Sequence, residues 1–151
     1  MYINNILVHE DEMEILGQVI NLKDINQDIY CVATSEDHIV PWRSCYKLKQ
    51  AISSKNIEFI LSNSGHIMGI IQGTSPIPKK YNYRTNSRNY KDPDQWHNFA
   101  KKNIGSWWNH WNKWLSTKLG DKVDARKPED GALDILYNAP GDYVKQNKQL
   151  H

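Results

Sequence analysis

The sequence predicts an α/β fold, because a strand, a helix and a second strand follow one another between residues 29 and 61. Residues 29–33 form an apolar run of strand-forming side chains that ends in an acidic turn. Residues 42–53 carry most of their apolar side chains on one helical face, which predicts a helix packed on a sheet. Residues 58–61 are a second short apolar run. A sheet with flanking helices is therefore expected.

Each predicted strand ends in a polar turn that carries chemically useful side chains. The first turn contains Glu36 and Asp37, either of which could orient a histidine, and Pro41 restricts the backbone before the helix. The second strand leads into residues 62–66, and His66 lies just past its end. Ligands and catalytic side chains collect at the carboxyl ends of strands in open α/β sheets.

The order strand, Asp, helix, strand, His matches the second half of the nucleophile–acid–histidine order of α/β-hydrolases. The 29 residues from Asp37 to His66 leave room for one helix and one strand. An ordinary βαβ unit with an exposed acidic turn and an incidental histidine fits the spacing equally well. Spacing alone therefore leaves both interpretations open.

Composition and charge set limits on the class of protein. The 151 residues fit one domain, and a net charge of +2 indicates no strongly charged partner such as nucleic acid. Apolar residues make up 39%, and counting Gly in place of Tyr leaves that figure unchanged because each occurs 8 times. The usual share is roughly 45–50%. No apolar run is long enough for a transmembrane helix, so we expect a cytoplasmic protein with a thin core.

The remaining chain predicts two helices and a tail. Asp92 and Pro93 give a helix start, and Ser106 precedes a second helix that holds four tryptophans in eight residues. That tryptophan face either packs on the core or contacts a hydrophobic polymer or a partner chain. The basic segment of residues 79–84 is interpreted as a solvated loop, and the short apolar run of residues 67–71 as packing against the sheet.

Five further side chains could in principle carry chemistry, and four of them are interpreted as structural or surface residues. Cys31 and Cys45 lie in no metal-ligand spacing and are interpreted as ordinary buried or half-buried thiols. His97 and His110 are interpreted as structural or surface residues, with no metal site. His38, beside the acid, is the one histidine expected to support the catalytic pair indirectly.

The segments SEDHIVPW and FILSNSGHIMGII closely resemble the acid and histidine loops of polyhydroxyalkanoate synthases, class I in particular. The resemblance continues in MYINNILV, ILGQVINLKDI, GSWWNHWNKWL and APGDYVK, and so covers nearly the whole chain. It implies the C-terminal portion of an α/β-hydrolase fold with an incomplete sheet. It also implies that residues 1–151 form a single partial domain, with catalytic loops at 30–71, C-terminal helices at 92–120 and a tail at 121–151.

The resemblance implies catalytic roles for Asp37 and His66 in an acyltransferase that polymerises hydroxyacyl-coenzyme A into polyester. That enzyme uses a Cys-His-Asp triad and needs no cofactor beyond its acyl-coenzyme A substrate. This sequence departs from the pattern because it contains no Gly-x-Cys-x-Gly or Gly-x-Ser-x-Gly turn.

Two hypotheses follow from that departure. In one, the chain is the C-terminal piece of a synthase and is active only with an N-terminal piece that carries the cysteine. In the other, it is a non-catalytic remnant or a module that binds a polyester granule or a partner chain. A relative that hydrolyses esters is a third, weaker hypothesis, because the acid–histidine geometry recurs across the fold.

Overall fold

A four-stranded mixed sheet in the order β3-β4-β5-β6 carries the candidate site. The computed structural model describes residues 3–74 and 80–146. Strand β3 is Ile29–Thr34 and strand β4 is Ile57–Ser62. The two strands are parallel, and their register runs from Ile29 opposite Ile57 to Thr34 opposite Ser62. β5 (Asn82–Thr85) and β6 (Lys101–Ile104) continue the sheet antiparallel. The chain is thus a mixed α/β protein, as the sequence predicts.

A two-stranded hairpin precedes the sheet. β1 (Glu14–Ile15) and β2 (Gln18–Val19) are antiparallel, and the turn between them holds Leu16 and Gly17 at φ of 51° and 78°. Two consecutive positive φ values are typical of the hairpin turn whose twist matches the strands, and glycine adopts them at little cost. Gly17 therefore lies in the turn of this hairpin.

The helix predicted over residues 42–53 forms as two short helices. α1 is Trp42–Tyr46 and α2 is Leu48–Ala51, with Lys47 at the junction. α1 packs its buried Trp42 and Tyr46 on one face of the sheet, where they join α3 (Pro93–Asn98) in the main core. That core consists of the following buried side chains: Ala33, Trp42, Tyr46, Phe59, Leu61 and Trp96.

The opposite face of the sheet is covered by α4 (Trp107–Ser116), which begins at the N-cap Ser106 as predicted. Tyr30 of β3 packs against this helix: its ring centroid lies 6.2 Å from that of Trp107 and 5.3 Å from that of Trp114. The Tyr30 hydroxyl also makes a 2.8 Å hydrogen bond to Nδ1 of His110. His110 therefore has a structural role, fixing α4 on the sheet.

Three expectations from the sequence need correction. Strand β5 occupies much of the segment interpreted as a solvated loop, and its residues are half-buried; Lys79 lies outside the described residues. Strand β6 lies between the two C-terminal helices and was not predicted. The run at residues 67–71 does not pack as a block, because Ile67, Met68 and Ile71 are exposed while only Gly69 is buried.

The chain divides into two compact units, Met1–Lys118 and Leu119–His151. The sheet and its helices belong to the first unit. The described part of the second unit contains a 3-10 helix at Pro128–Asp130 and α5 at Asp142–Gln146. None of the helices in the described ranges is long and apolar enough to cross a membrane.

Candidate functional site

The acidic turn after β3 holds the carboxylate of Asp37 in a fixed orientation. Its Oδ1 accepts hydrogen bonds from the backbone N–H groups of Ile39, at 2.9 Å, and Val40, at 2.8 Å. An aspartate side chain that accepts hydrogen bonds from the backbone N–H groups two and three residues further along stabilises a local turn. Pro41 then serves as the N-cap of α1, so the turn leads directly into the helix.

The histidine turn after β4 brings His66 to that carboxylate. Nδ1 of His66 lies 2.8 Å from Oδ2 of Asp37. The two turns are also joined through the backbone, because the N–H of Glu36 donates to the carbonyl of Ser64 at 3.1 Å. Since β3 and β4 are parallel neighbours, their carboxyl ends lie at the same rim of the sheet. The structure thus brings together the two residues predicted to form the site.

Hydrogen bonding keeps Asp37 ionised. The Val40 N–H, followed by His66 and the Ile39 N–H, lowers the pKa of the Asp37 carboxyl to about 2, against the opposing effect of burial. A carboxylate can only accept, so Nδ1 of His66 carries the proton and Nε2 is left as the basic nitrogen. The Asp37 side chain is 9% exposed and that of His66 is 46% exposed. The imidazole is therefore held from one side and open on the other.

A close approach of two residues joins the acid turn to the histidine turn. Gly69 lies against Thr34: a Cβ at Gly69 would be 2.3 Å from Cγ2 of Thr34. The Thr34 hydroxyl in turn donates to Oδ2 of Asp37 at 3.4 Å. Glycine at position 69 is therefore a packing requirement of the site.

Two indole N–H groups at the start of α4 support the histidine turn. Nε1 of Trp107 donates to the carbonyl of Gly69 at 3.0 Å, and Nε1 of Trp108 donates to the carbonyl of Ile70 at 2.8 Å. Sequence reasoning missed both roles, because it treated the tryptophans only as an apolar face. Helical spacing reports which side chains share a face, but carries no signal for where an indole N–H donates.

A small cavity of about 190 Å³ opens beside the pair. It is lined by Val32, Ala33, Thr34, Asp37, Val40, Cys45, His66 and Ile70. A larger cavity of about 520 Å³, lined by residues such as Leu7 and Gln50, includes neither Asp37 nor His66. Of these two cavities, only the smaller is bordered by the side chains of Asp37 and His66.

The two cysteines have the character expected of structural thiols. Burial raises the pKa of the Cys31 thiol to about 11 and also raises that of Cys45. A reactive cysteine needs the opposite, since the thiolate is the nucleophile. Cys45 therefore lines the cavity as a neutral thiol.

The other histidines lie apart from the pair. His38 is exposed and is not among the described hydrogen-bond partners of Asp37, so the structure does not bring it to the site. The ring of His97 packs 5.7 Å from that of Trp42. Within residues 3–74 and 80–146, no group of three or more His, Cys, Asp or Glu side chains is placed to hold a metal ion.

The two turns that carry the pair also carry exposed apolar side chains, here called the apolar rim. Ile39 lies two residues after Asp37, and Ile67 and Ile71 follow His66 in the sequence. All three side chains are 61–63% exposed. The sequence left open whether the tryptophans of α4 are buried in the core or exposed, and the structure contains both kinds. Trp107 is buried, whereas Trp108 and Trp111 are each 38% exposed.

Comparison with known proteins gives one consistent answer. The chain is 38% identical over 145 residues to a poly(3-hydroxyalkanoate) polymerase subunit PhaC of Rhizobium etli. It is 40% identical over 147 residues to poly(3-hydroxyalkanoate) polymerase 1 of Ectopseudomonas oleovorans, and 34% over 145 residues to the PhaC subunit of Cupriavidus necator. No model of a known protein family matches the chain.

The extent of these matches is uneven. They cover 95–97% of this chain but only 22–26% of the three relatives, so the chain spans about a quarter of their length. The matched quarter is their C-terminal region. This chain is therefore a homologue of the poly(3-hydroxyalkanoate) polymerases and corresponds to a C-terminal segment of them.

Proposed function

We propose that this chain supplies the acid and the general base of a poly(3-hydroxyalkanoate) polymerase whose nucleophilic cysteine is carried elsewhere. The observation that carries the proposal is the 2.8 Å contact between His66 Nδ1 and Asp37 Oδ2, with the rest of the imidazole open. The homology to polymerases supports the reaction class. The fold would be the C-terminal portion of an α/β-hydrolase, of the class I synthase type, with residues 1–151 as one incomplete domain.

The proposed chemistry is acyl transfer in two steps. Nε2 of His66 takes the proton of the cysteine thiol, and the thiolate attacks the thioester carbonyl of a hydroxyacyl-coenzyme A. The carbon–sulfur bond to coenzyme A breaks, coenzyme A leaves as a thiol after receiving that proton, and the acyl group stays on the cysteine. Asp37 holds the imidazole in the required tautomer and stabilises its protonated form.

In the second step the hydroxyl group at the end of a growing polyester attacks the acyl-cysteine. His66 takes the hydroxyl proton, the new ester bond forms as the carbon–sulfur bond of the acyl-cysteine breaks, and His66 returns the proton to the departing cysteine sulfur. General base help of this kind is typically worth about 10²–10⁴-fold in rate. No separate cofactor is required, and the implied partners are the cysteine-bearing polypeptide, the hydroxyacyl-coenzyme A and the polyester. A cytoplasmic site at the granule surface suits those partners.

Complementation tests the proposal. This chain would be co-expressed with the part of the Rhizobium etli polymerase subunit that it does not match, and coenzyme A release from 3-hydroxybutyryl-coenzyme A would be followed. We expect release with both polypeptides present and none with either alone. A mixture that forms a complex but releases no coenzyme A would refute the proposal.

A non-catalytic binding module is the second candidate, and the exposed apolar rim favours it. Ile67, Met68 and Ile71 would contact a polyester granule or a partner without any bond-making by His66. Pelleting with purified polyester granules distinguishes the two. Under the binding hypothesis His66→Gln would pellet like the wild type, and failure of the wild-type chain to pellet would exclude granule binding.

A further inference from the structure

A further cavity of about 190 Å³ opens at the carboxyl ends of β3 and β4, next to the antiparallel strand β5. Four polar side chains from separate parts of the chain line it: Ser35, Asn63, Arg84 and His97. Neither Asp37 nor His66 is part of its lining. The acyl-transfer chemistry proposed above therefore gives this cavity no role.

Two positive charges lie side by side at this cavity. Arg84 of β5 is directly opposite Lys102 of β6 in the antiparallel register, so both side chains lie on the same face of the sheet. Like charges in directly opposed positions destabilise a strand pair. Among the residues that the structure describes, no carboxylate forms an ion pair with either of them. The described part of the chain therefore leaves this repulsion without a counter-charge.

The guanidinium of Arg84 also has hydrogen-bond donors to spare. The residue is half-buried, and its one hydrogen bond to the described residues is long, at 3.4 Å from Nη1 to the carbonyl of Ala100. Arginine has five N–H donors and no acceptor, so an oxygen-bearing anion is the partner it lacks. Asp94, on the same helix as His97, does not serve, because Arg43 already binds it at 2.6 Å.

Three neutral side chains of the same lining have unused hydrogen-bonding groups. The hydroxyl of Ser35, the carboxamide of Asn82 and the ring of His97 make no side-chain hydrogen bond within residues 3–74 and 80–146. Each of these groups can donate, and each can also accept. They therefore suit a ligand hydroxyl as well as an anion, whereas Arg84 suits an anion alone.

The state of the backbone indicates which anion fits. Phosphate sites typically use several backbone N–H groups, at a helix N-terminus or in a loop. Here the N–H groups of Ser35, Asn63 and Asn82 already have protein acceptors, at 2.8, 3.0 and 2.9 Å. What remains is a set of side-chain donors around one guanidinium, whose planar fork matches a carboxylate through two parallel bonds.

We propose that this cavity, here called the Arg84 cavity, binds a small hydroxycarboxylic acid. The carboxylate pairs with Arg84, the hydroxyl bonds to the neutral side chains, and the short carbon chain lies against Leu61, which also lines the cavity. The volume of about 190 Å³ is below the roughly 300–1,000 Å³ of sites for drug-sized ligands, so the ligand is small. The inference goes beyond the proposed function, because binding requires neither His66 nor a cysteine.

Titration followed by nuclear magnetic resonance, on the full chain at constant ionic strength, tests binding without reference to activity. With 3-hydroxybutyrate as the probe, we expect saturable shifts of the Ser35 and Asn63 amides and of the Arg84 Nε–H, half-complete at about 1–10 mM. Butyrate, which lacks the hydroxyl, should bind at least about threefold more weakly. Ethyl 3-hydroxybutyrate, which lacks the charge, should give no saturable shift.

A matched pair of arginine variants provides the second measurement. Arg84→Gln should weaken binding of 3-hydroxybutyrate at least about tenfold, since it removes the charged fork. Arg88→Gln should change it less than about twofold, because Arg88 follows the same strand but is exposed and does not line the cavity. Should Arg84→Gln not fold, Arg84→Lys keeps the charge without the fork and should still weaken binding about threefold.

Four outcomes would overturn the proposal. One is the absence of a saturable shift up to about 50 mM 3-hydroxybutyrate, since so weak a contact is no site. The second is equal binding of the neutral ester, which would show an apolar contact. The third is saturation of the same resonances by inorganic phosphate at lower concentration, which would show a phosphate site. The last is an equal loss in Arg84→Gln and Arg88→Gln, which would show general attraction to positive charge.

Discussion

Gly69 and Thr34 touch so closely that a methyl group added at Gly69 would lie 2.3 Å from Cγ2 of Thr34. The same methyl group would also lie 2.9 Å from the carbonyl oxygen of Asn63. Through this contact the histidine turn rests on the residue that donates to Asp37. Asp37 and His66 are therefore held together in two ways: by their own hydrogen bond, and by the contact of Gly69 in the histidine turn with Thr34, which bonds to Asp37.

Gly69→Ala should destabilise the protein by about 1–3 kcal/mol, the usual cost of overpacking a closed site. The free energy of unfolding in urea measures it. Gly73→Ala is the matched control, because nothing lies within 4 Å of a Cβ at that position. Equal stability of the two variants would contradict the close packing of Gly69. Thr34→Ser in the Gly69→Ala background should recover part of the loss, since it removes the nearest atom and keeps the hydroxyl.

Trp108→Phe should loosen the histidine turn by removing the indole N–H that bonds to the Ile70 carbonyl. We expect a loss of about 1 kcal/mol in the free energy of unfolding, the net worth of one hydrogen bond. The ring resonances of His66 should also shift, because its turn is less constrained. Trp111→Phe is a close control: Trp111 lies on the same helix with the same 38% exposure, and its indole makes no hydrogen bond to the described residues. If both variants move the His66 resonances alike, the role assigned to Trp108 is wrong.

The fold was predictable from sequence where the residues of a single strand or helix are enough to determine its structure. β3, β4 and the N-cap at Ser106 follow from apolar runs and capping chemistry, and Asp37 and His66 from their positions just after strands. The antiparallel pair of β5 and β6 was not predictable in the same way. Its residues include Asn82 and Lys102, whose intrinsic strand preference is low, so pairing of β5 with β4 and of β6 with β5, rather than local propensity, determines these strands.

The supporting residues of the site were beyond sequence reasoning for a related reason. Gly69 and Trp108 act through contacts between segments 35 and 38 residues apart along the chain. A pattern within one helix or strand carries no information on such contacts. His38 is the converse case: it is adjacent to Asp37 in sequence, but its side chain is exposed and makes no hydrogen bond to Asp37 in the described structure.

Acid should weaken the fold through Asp37. Its pKa is lowered to about 2 in the folded protein from a usual 3.8, so the unfolded chain takes up this proton more readily. The resulting stabilisation is complete above about pH 4 and is lost as the pH falls from there through about 2. Asp37→Asn should therefore flatten the decline of the unfolding free energy between pH 4 and pH 2. Carboxyl resonances followed by pH titration give the direct measurement, and an Asp37 midpoint near 4 would contradict the assignment.

Asp37→Asn should also lower the rate of coenzyme A release in the complemented enzyme. Asparagine can still accept from the N–H groups of Ile39 and Val40, so the turn is retained. It cannot carry the negative charge that holds the proton on Nδ1 of His66 and stabilises the charged imidazole. We expect a loss in kcat of about 10²–10⁴-fold, and a loss in the same range for His66→Gln.

Glu36→Gln is the control for these two variants. Glu36 is adjacent in sequence, is exposed, and its side chain makes no hydrogen bond to His66 in the described structure, so its loss should leave kcat within about twofold. This comparison also resolves which carboxylate of the acidic turn acts, since the sequence alone admitted either. A large loss in Glu36→Gln together with a small one in Asp37→Asn would transfer the role to Glu36. Equal binding of all variants to the cysteine-bearing polypeptide would show that the losses arise in the chemical step.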